Sequence, residues 1–315
     1  VQNNAGDYTD NAVNIDIYDP QIIQRIQMTV MNITGCRMFE DEIVDTLCRD
    51  PKIDDIIIIE NQECAGLTEK LDKCGIPHRL IPPDRIANLY RSAKSNDYVV
   101  TVNIMPLSLH GDPKHLRDQV YGNIKSIADF SDGIFLFYGL CGNVLRRIEK
   151  DLKQLPCPVS ILKDDEGRIV DDCIGAAIGG RKSFLKMVSG FNRKSAIVMT
   201  PMWIKNWQEM FQHSGFIENR KDIEMARFVL DSMGYETVVK IDTGLQYTDG
   251  YHEMIEEFAD TFQLNILEIK GKHDVINGSY SDFRDKIMES QPISDSRDVF
   301  VEIGNEIESP MVKTA

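Results

Sequence analysis

No CxxC pair occurs anywhere in this chain, and neither does GxGxxG, GxSxG or HExxH. The common signatures of dinucleotide-binding dehydrogenases, serine hydrolases and zincin metalloproteases are therefore absent. No apolar run approaches the roughly 20 residues needed to cross a bilayer. The first residues lack a basic stretch followed by an apolar segment and a cleavage site. Positive charge is also scarce, with 35 Lys and Arg against 50 Asp and Glu, a formal net charge of −15. Such a field disfavours nucleic acid and anionic membrane surfaces as partners. A soluble cytoplasmic protein is the expectation. Seven cysteines, an odd number scattered along the sequence, do not form the framework of a small secreted scaffold.

What is present is an ordinary globular composition: 315 residues, 42% hydrophobic and 27% charged. That length supports one large α/β domain or two smaller ones. Residues 1–20 are polar and aperiodic, which suggests an extension. Beyond them, β-type runs alternate with helical patterns. "MTVMNITGC", "DDIIIIENQ", "HRLIPP", "YVVTVNIMP", "DGIFLFYGL", "PVSILKD", "SAIVMTP", "ETVVKIDTG", "LNILEIKG" and "RDVFVEI" read as strands. "FEDEIVDTLCRD", "LTEKLDKCG", a segment from Pro113, "VLRRIEKDLKQL", "DDCIGAAIGGRKSFLKMVSG", 219–233 and "YHEMIEEFADTF" read as helices. Continuous aliphatic strands suit a sheet covered on both faces. The alternation predicts an α/β fold with mostly parallel open sheets flanked by helices and right-handed crossovers. "PCPVSILKDDEGR" marks a boundary between lobes at 21–160 and 161–315, two similar βα lobes being one version and one continuous domain the alternative.

Three cysteines occupy positions where such sheets collect ligands, beyond the carboxyl ends of strands. Cys36 follows a strand in "ITGC", Cys141 follows one in "FYGLCGN", and Cys173 opens a helical pattern in "DDC". A helix N-terminus is expected to lower the Cys173 thiol pKa. Three thiolates with one open position suit zinc, or an iron–sulfur cluster with one other ligand. Packed small residues are the plain alternative. Sulfurs within about 4 Å of one another would fit zinc. Gly139 and Gly142 would let the backbone turn tightly beside a bound atom. Cys48 and Cys74 read as structural helix thiols, Cys64 and Cys157 as exposed bystanders. His110 in "SLHGDP" is a candidate fourth ligand or acid–base group, or a loop histidine bonded to backbone. Asp242 closes a strand and could meet a cation, a ribose or a corrin amide, a turn aspartate being the simpler role. Trp203 and Trp207 share the i, i+4 spacing of one helix face, as core or as a wall for a flat ligand. "IGGRKS" has phosphate-loop glycines without Walker spacing.

Taken together, "YGLCGN", "DDCIGAAIGGRKSF", "AIVMTPMWI" and "VVKIDTG" resemble the domain of unknown function 1638 family, common in methanogenic archaea and anaerobic bacteria, over roughly 28–280. Its "SLH" segment is matched by Ser108 to His110, its Tyr-Gly-x-Cys-Gly-Asn turn by Tyr138 to Asn143, and its Asp-Cys pair by Asp172 and Cys173. The sequence departs where the family carries histidine before that pair, here Asp171, and where Arg37 follows the first cysteine. Members are often encoded beside corrinoid-dependent methyltransferase components, so the resemblance implies one-carbon metabolism by association.

The expectation is a metal-binding protein of corrinoid-linked methyl transfer, with Cys36, Cys141 and Cys173 on the metal. His110 or Asp171 would handle a proton, and Gly139, Gly142, Asn143, Asp242 and Trp203 would line the bound group. Zinc would activate a small thiol as methyl acceptor. The alternatives are an accessory protein binding a corrinoid protein or delivering its metal or cofactor, and a metal-free thiol or redox enzyme.

Overall fold

The structure is a computed structural model that describes residues 28–86, 97–190 and 195–290. The polar extension at 1–20 and the "RDVFVEI" strand lie outside the described residues. Six parallel strands form the main sheet: β1 (Thr29–Cys36), β2 (Asp55–Ile59), β3 (Arg79–Ile81), β4 (Tyr98–Met105), β5 (Gly133–Phe137) and β6 (Val159–Ile161), in the order β3-β2-β4-β1-β5-β6. A second parallel sheet holds β7 (Ser195–Met199), β8 (Tyr235–Asp242) and β9 (Asn265–Lys270) in sequential order. The fold is α/β with parallel sheets, as the alternating pattern indicates. Among the described residues the two sheets differ in size, six strands against three.

Strands β1, β4 and β5 are buried almost throughout because helices cover both faces. Two neighbouring residues of β1 show this. Thr34 Oγ1 bonds Asn123 Oδ1 at 2.8 Å, on α3 (Pro113–Ile127). A Cβ on Gly35 would instead sit 2.5 Å from Ile43 Cδ1, on α1 (Glu40–Arg49). Successive strand residues face opposite sides, so α1 and α3 cover opposite faces. The chain leaves β1 toward β2 and leaves β4 toward β5, on the other side of β1. That change of direction makes the carboxyl edge of β4-β1-β5 a topological switch point, where ligands of open parallel sheets collect.

After β2 the chain forms α2 (Ala65–Lys73), and after β5 a series of turns with one short helix, α4 (Ile148–Asp151). The expected long helix over "VLRRIEKDLKQL" is not formed. Residues 141–143, just before it, all have positive φ (44°, 73° and 69°), and the chain continues through turns until α4. The helical pattern from Cys173 splits into α5 (Cys173–Ala177) and α6 (Arg181–Ser189). Gly179 and Gly180, with φ of 88° and 86°, break it.

The second sheet carries α7 (Pro201–Lys205), α8 (Trp207–His213), α9 (Ile223–Ser232) and α10 (Tyr251–Phe262). The last described helix, α11 (Asp274–Glu289), returns to the first sheet and packs Tyr280 and Phe283 on Phe135. Residues 161–290 therefore do not form a separate body: their last helix completes the core of the first sheet. Among the described residues, no helix is long and apolar enough to cross a membrane.

Candidate functional site

A cavity of about 280 Å³ opens at the switch point, and its wall includes Cys36, His110, Cys141, Gly142, Asp172, Cys173 and Trp203. They come from five separate segments of the chain. Cys36 is the last residue of β1, and the segment after β4 delivers His110 within a 3₁₀ turn, Leu107–Gly111. Cys141 stands in the turn after β5, Cys173 begins α5, and Trp203 comes from α7 of the second sheet. Met210 and Ser214, in and just after α8, close the far side.

His110 is held by its backbone neighbour. Its Nδ1–H donates to the Leu107 carbonyl at 3.1 Å, and its Nε2 faces Cys36 Sγ at 3.7 Å. A histidine whose Nδ1 is tied to a carbonyl is oriented to use Nε2 as a ligand or a base. Cys36 is buried, and its sulfur also accepts from Met38 N at 3.4 Å. Burial pushes its thiol up to about 12, against the opposing pull of that N–H and of Arg37.

Cys141 is placed by backbone alone. Its φ of 44° is unusual for a residue with a side chain. Leu140 N and Cys141 N donate to Val170 O (2.8 Å) and Asp171 O (3.1 Å), zipping the turn onto the segment that leads to Cys173. Gly139 makes this approach possible, since a Cβ there would meet Asp172 Cα and N and Val170 O, each at 2.7 Å. Two thiols 32 residues apart in sequence thus share a wall.

The helix N-terminus does not lower the Cys173 pKa. Burial raises it well above the usual thiol range, with the charges of Asp172, Cys36 and Cys141 adding to the effect. A helix of five residues has little dipole to set against that. Trp203 opposes the shift: its indole lies against Cys173 and favours the thiolate, yet Nε1–H forms no well-made hydrogen bond and is buried. Tyr138 presents a second orphan, a fully buried hydroxyl without a partner. It lies within electrostatic reach of Cys36 and Cys141, and burial, then those thiols, raise its pKa well above the phenolic range.

The remaining expected residues fall elsewhere. Asp171 contributes its carbonyl to Cys141, while the neighbouring Asp172 lines the cavity and caps α5 through Gly175 N at 2.7 Å. Asn143 is exposed and supplies only the left-handed turn. Asp242 ends β8 and accepts from Gly244 N at 3.0 Å, a turn role away from the cavity. Trp203 and Trp207 stand on different helices, because Asn206 breaks the run between them; both pack against the second sheet's core, Trp207 on Phe211, Phe258 and Phe262. Cys64 and Cys157 are buried, not exposed: Cys64 donates to Asn61 O at 3.1 Å, and Cys157 packs into the main core.

Arg37 has a definite place. It pairs with Glu63 at 2.9 Å and with Glu209 of α8 at 2.6 Å, pinning a helix of the second sheet beside Cys36. Tyr138 and Asp172 are the lining or supporting residues to which the sequence reading gave no role. A tyrosine ending an all-apolar strand was the available signal, because its hydroxyl needs a partner.

The thiols share one cavity without forming a closed ligand shell. Among the described residues, no group of three or more His, Cys, Asp or Glu is placed so as to hold a metal ion. Two buried donors with no acceptor stand near thiols, and both would be satisfied by thiolates, the form in which cysteine binds metal.

Fold and site together define an open parallel α/β protein with a thiol-lined cavity at its switch point. A sequence profile of the family described as "Protein of unknown function (DUF1638)" matches residues 104–280, more than half the chain, and the chain belongs to that family. The matched segment contains His110, Cys141, Cys173 and Trp203; Cys36 precedes it. No curated protein and no solved structure matches the chain.

Proposed function

We propose that the cavity binds a soft metal ion, zinc in the first instance, through Cys36, Cys141 and Cys173, with His110 Nε2 as the further donor. The observation that carries this reading is the convergence of three thiols and an oriented imidazole on one cavity. The orphan donors of Trp203 and Tyr138 support it, because each could stabilise sulfur in its anionic form. An iron–sulfur cluster is the alternative occupant for the same sulfur donors.

The cavity is much larger than an ion, so a small molecule is a co-ligand its volume suits. Bound zinc would supply Lewis acidity that holds an incoming thiol as a thiolate. Where an incoming thiol takes the fourth position in place of His110, His110 Nε2 would instead take up the proton released at Cys36 or from that thiol. Trp203 forms an apolar wall that excludes water. The setting in corrinoid-linked methyl transfer, as enzyme or as accessory to a corrinoid protein, rests on the family resemblance alone.

Elemental analysis after anaerobic loading tests the reading. About one zinc per chain is expected, with cobalt substitution giving sulfur-to-metal charge-transfer absorption, and Cys141→Ser reducing affinity by at least about 100-fold. Cys141 is half-buried, so this variant retains its packing. No stoichiometric metal in the wild type would overturn the proposal. It would favour metal-free thiol chemistry, for which Cys141 on the lip of the cavity is the accessible thiol.

A further inference from the structure

Two thiols outside the cavity also meet. Cys48 lies in the last turn of α1, and Cys74 caps the C-terminal end of α2, a helix packed on α1. Cys74 is exposed and Cys48 half-buried. The two helices pack on one another with these ends together, so Cys48 lies within electrostatic reach of Cys74 and of Tyr247, whose hydroxyl donates to Asp45 at 3.1 Å. The cavity chemistry uses neither thiol, and their sequence context suggested packing. Packing alone does not explain an exposed thiol at one helix end with a second, half-buried thiol at the end of the neighbouring helix.

We propose that Cys48 and Cys74 form a dithiol that closes to an intramolecular disulfide on two-electron oxidation, a modification site separate from the cavity. With hydrogen peroxide as oxidant, the exposed Cys74 thiolate attacks a peroxide oxygen, forming a sulfenic acid and releasing hydroxide. The Cys48 thiolate then attacks that sulfur, forming the S–S bond and expelling a second hydroxide. With the two thiol protons, two thiols and one peroxide give one disulfide and two waters. The order of attack follows from exposure. Burial, reinforced by Cys74, pushes the Cys48 thiol up to about 11, which suits the resolving partner and not the first nucleophile. The cross-link would staple the C-terminal ends of α1 and α2 and close the loop that contains β2.

The test uses the full chain treated with a small excess of peroxide, alkylated, and mapped by proteolysis without reduction. The expected product joins the peptides of Cys48 and Cys74 with the mass of two hydrogens lost. Two of the seven thiols disappear and return with dithiothreitol. Cys48→Ser should leave a Cys74 sulfenic acid that dimedone traps, and Cys74→Ser, a surface change, should abolish the cross-link. The proposal is overturned if Cys74 ends as sulfinic acid or as an intermolecular disulfide while Cys48 still alkylates. It is equally overturned if peroxide leaves Cys74 unmodified.

Discussion

At the carboxyl edge of the six-stranded sheet, Cys36, His110 and Cys141 turn polar atoms into a cavity, and Trp203 and Tyr138 leave donors without acceptors beside it. The three-stranded sheet has an edge of the same kind, and its groups are satisfied within the protein. Thr200 Oγ1 accepts from Trp203 N at 3.2 Å and Asp242 O accepts from Gly271 N at 2.8 Å. Tyr251 OH bonds Met199 O and Ile241 O, each at 2.9 Å, and His273 Nε2 donates to Thr243 O. Both edges follow from parallel β-strands. Among the described residues, the unmet donors of Tyr138 and Trp203 both face the first edge's cavity, to which the second edge lends Trp203, and that is what separates a site from a well-capped sheet end.

Predictions that bear on this contrast run from its joint to its details. The largest effect is expected at Lys70, where the two units meet. Its ammonium is buried against Glu40 and Asp41, at 2.5 and 2.6 Å, and Asp41 accepts from Thr248 in the loop after β8. Burial opposes that charge, but the two carboxylates outweigh it and hold the Lys70 pKa above its usual range. Lys70→Met should cost about 3–5 kcal/mol in urea unfolding, because two buried carboxylates lose their cation. A loss under about 1 kcal/mol would show that the joint does not depend on this cluster.

Next in size is a pH effect on α1, the helix that carries Glu40 and Asp41. Burial, then Asp41, pushes the Glu42 carboxyl up from 4.5 to about 8. A raised acid favours the folded state while protonated, so between about pH 4.5 and 8 the unfolded chain binds fewer protons and stability falls as pH rises. The expected decline is about 1–3 kcal/mol. Glu42→Gln should flatten it; an unchanged slope in that variant would assign the effect to another group.

The smallest effect separates the two edges directly. Cys141→Gly relieves a left-handed backbone and should stabilise the protein by about 1 kcal/mol while weakening metal uptake. Asp242→Asn retains the acceptor used by Gly244 and should change neither quantity measurably. If Asp242→Asn also lowers metal uptake, the second edge belongs to the site and the contrast fails.

Much of this was legible in the sequence because strand ends are. "ITGC", "SLHGDP" and "FYGLCGN" each announce a buried strand and then a turn, and parallel topology brings such turns to one edge. Helix lengths were less legible, since "VLRRIEKDLKQL" has helical spacing but follows three left-handed residues that periodicity does not register. Side-chain environment was least legible. Asp171 and Asp172 differ by one position, and only the pairing of Cys141 N with Asp171 O decides which carboxylate reaches the cavity. Cys173 shows the same limit, because its helix start is visible in sequence and the burial that overrides it is not.

The return of α11 to the first sheet also bears on synthesis. Strand β6 is complete at Ile161, yet Phe283 and Ile287, which cover Phe135 and Gly133 of β5, emerge only as α11 ends at Glu289. At about 5–20 residues per second, the interval is on the order of ten seconds. Throughout it, a face of the nascent sheet stays bare on the ribosome, a natural place for a chaperone to bind until the last helix arrives.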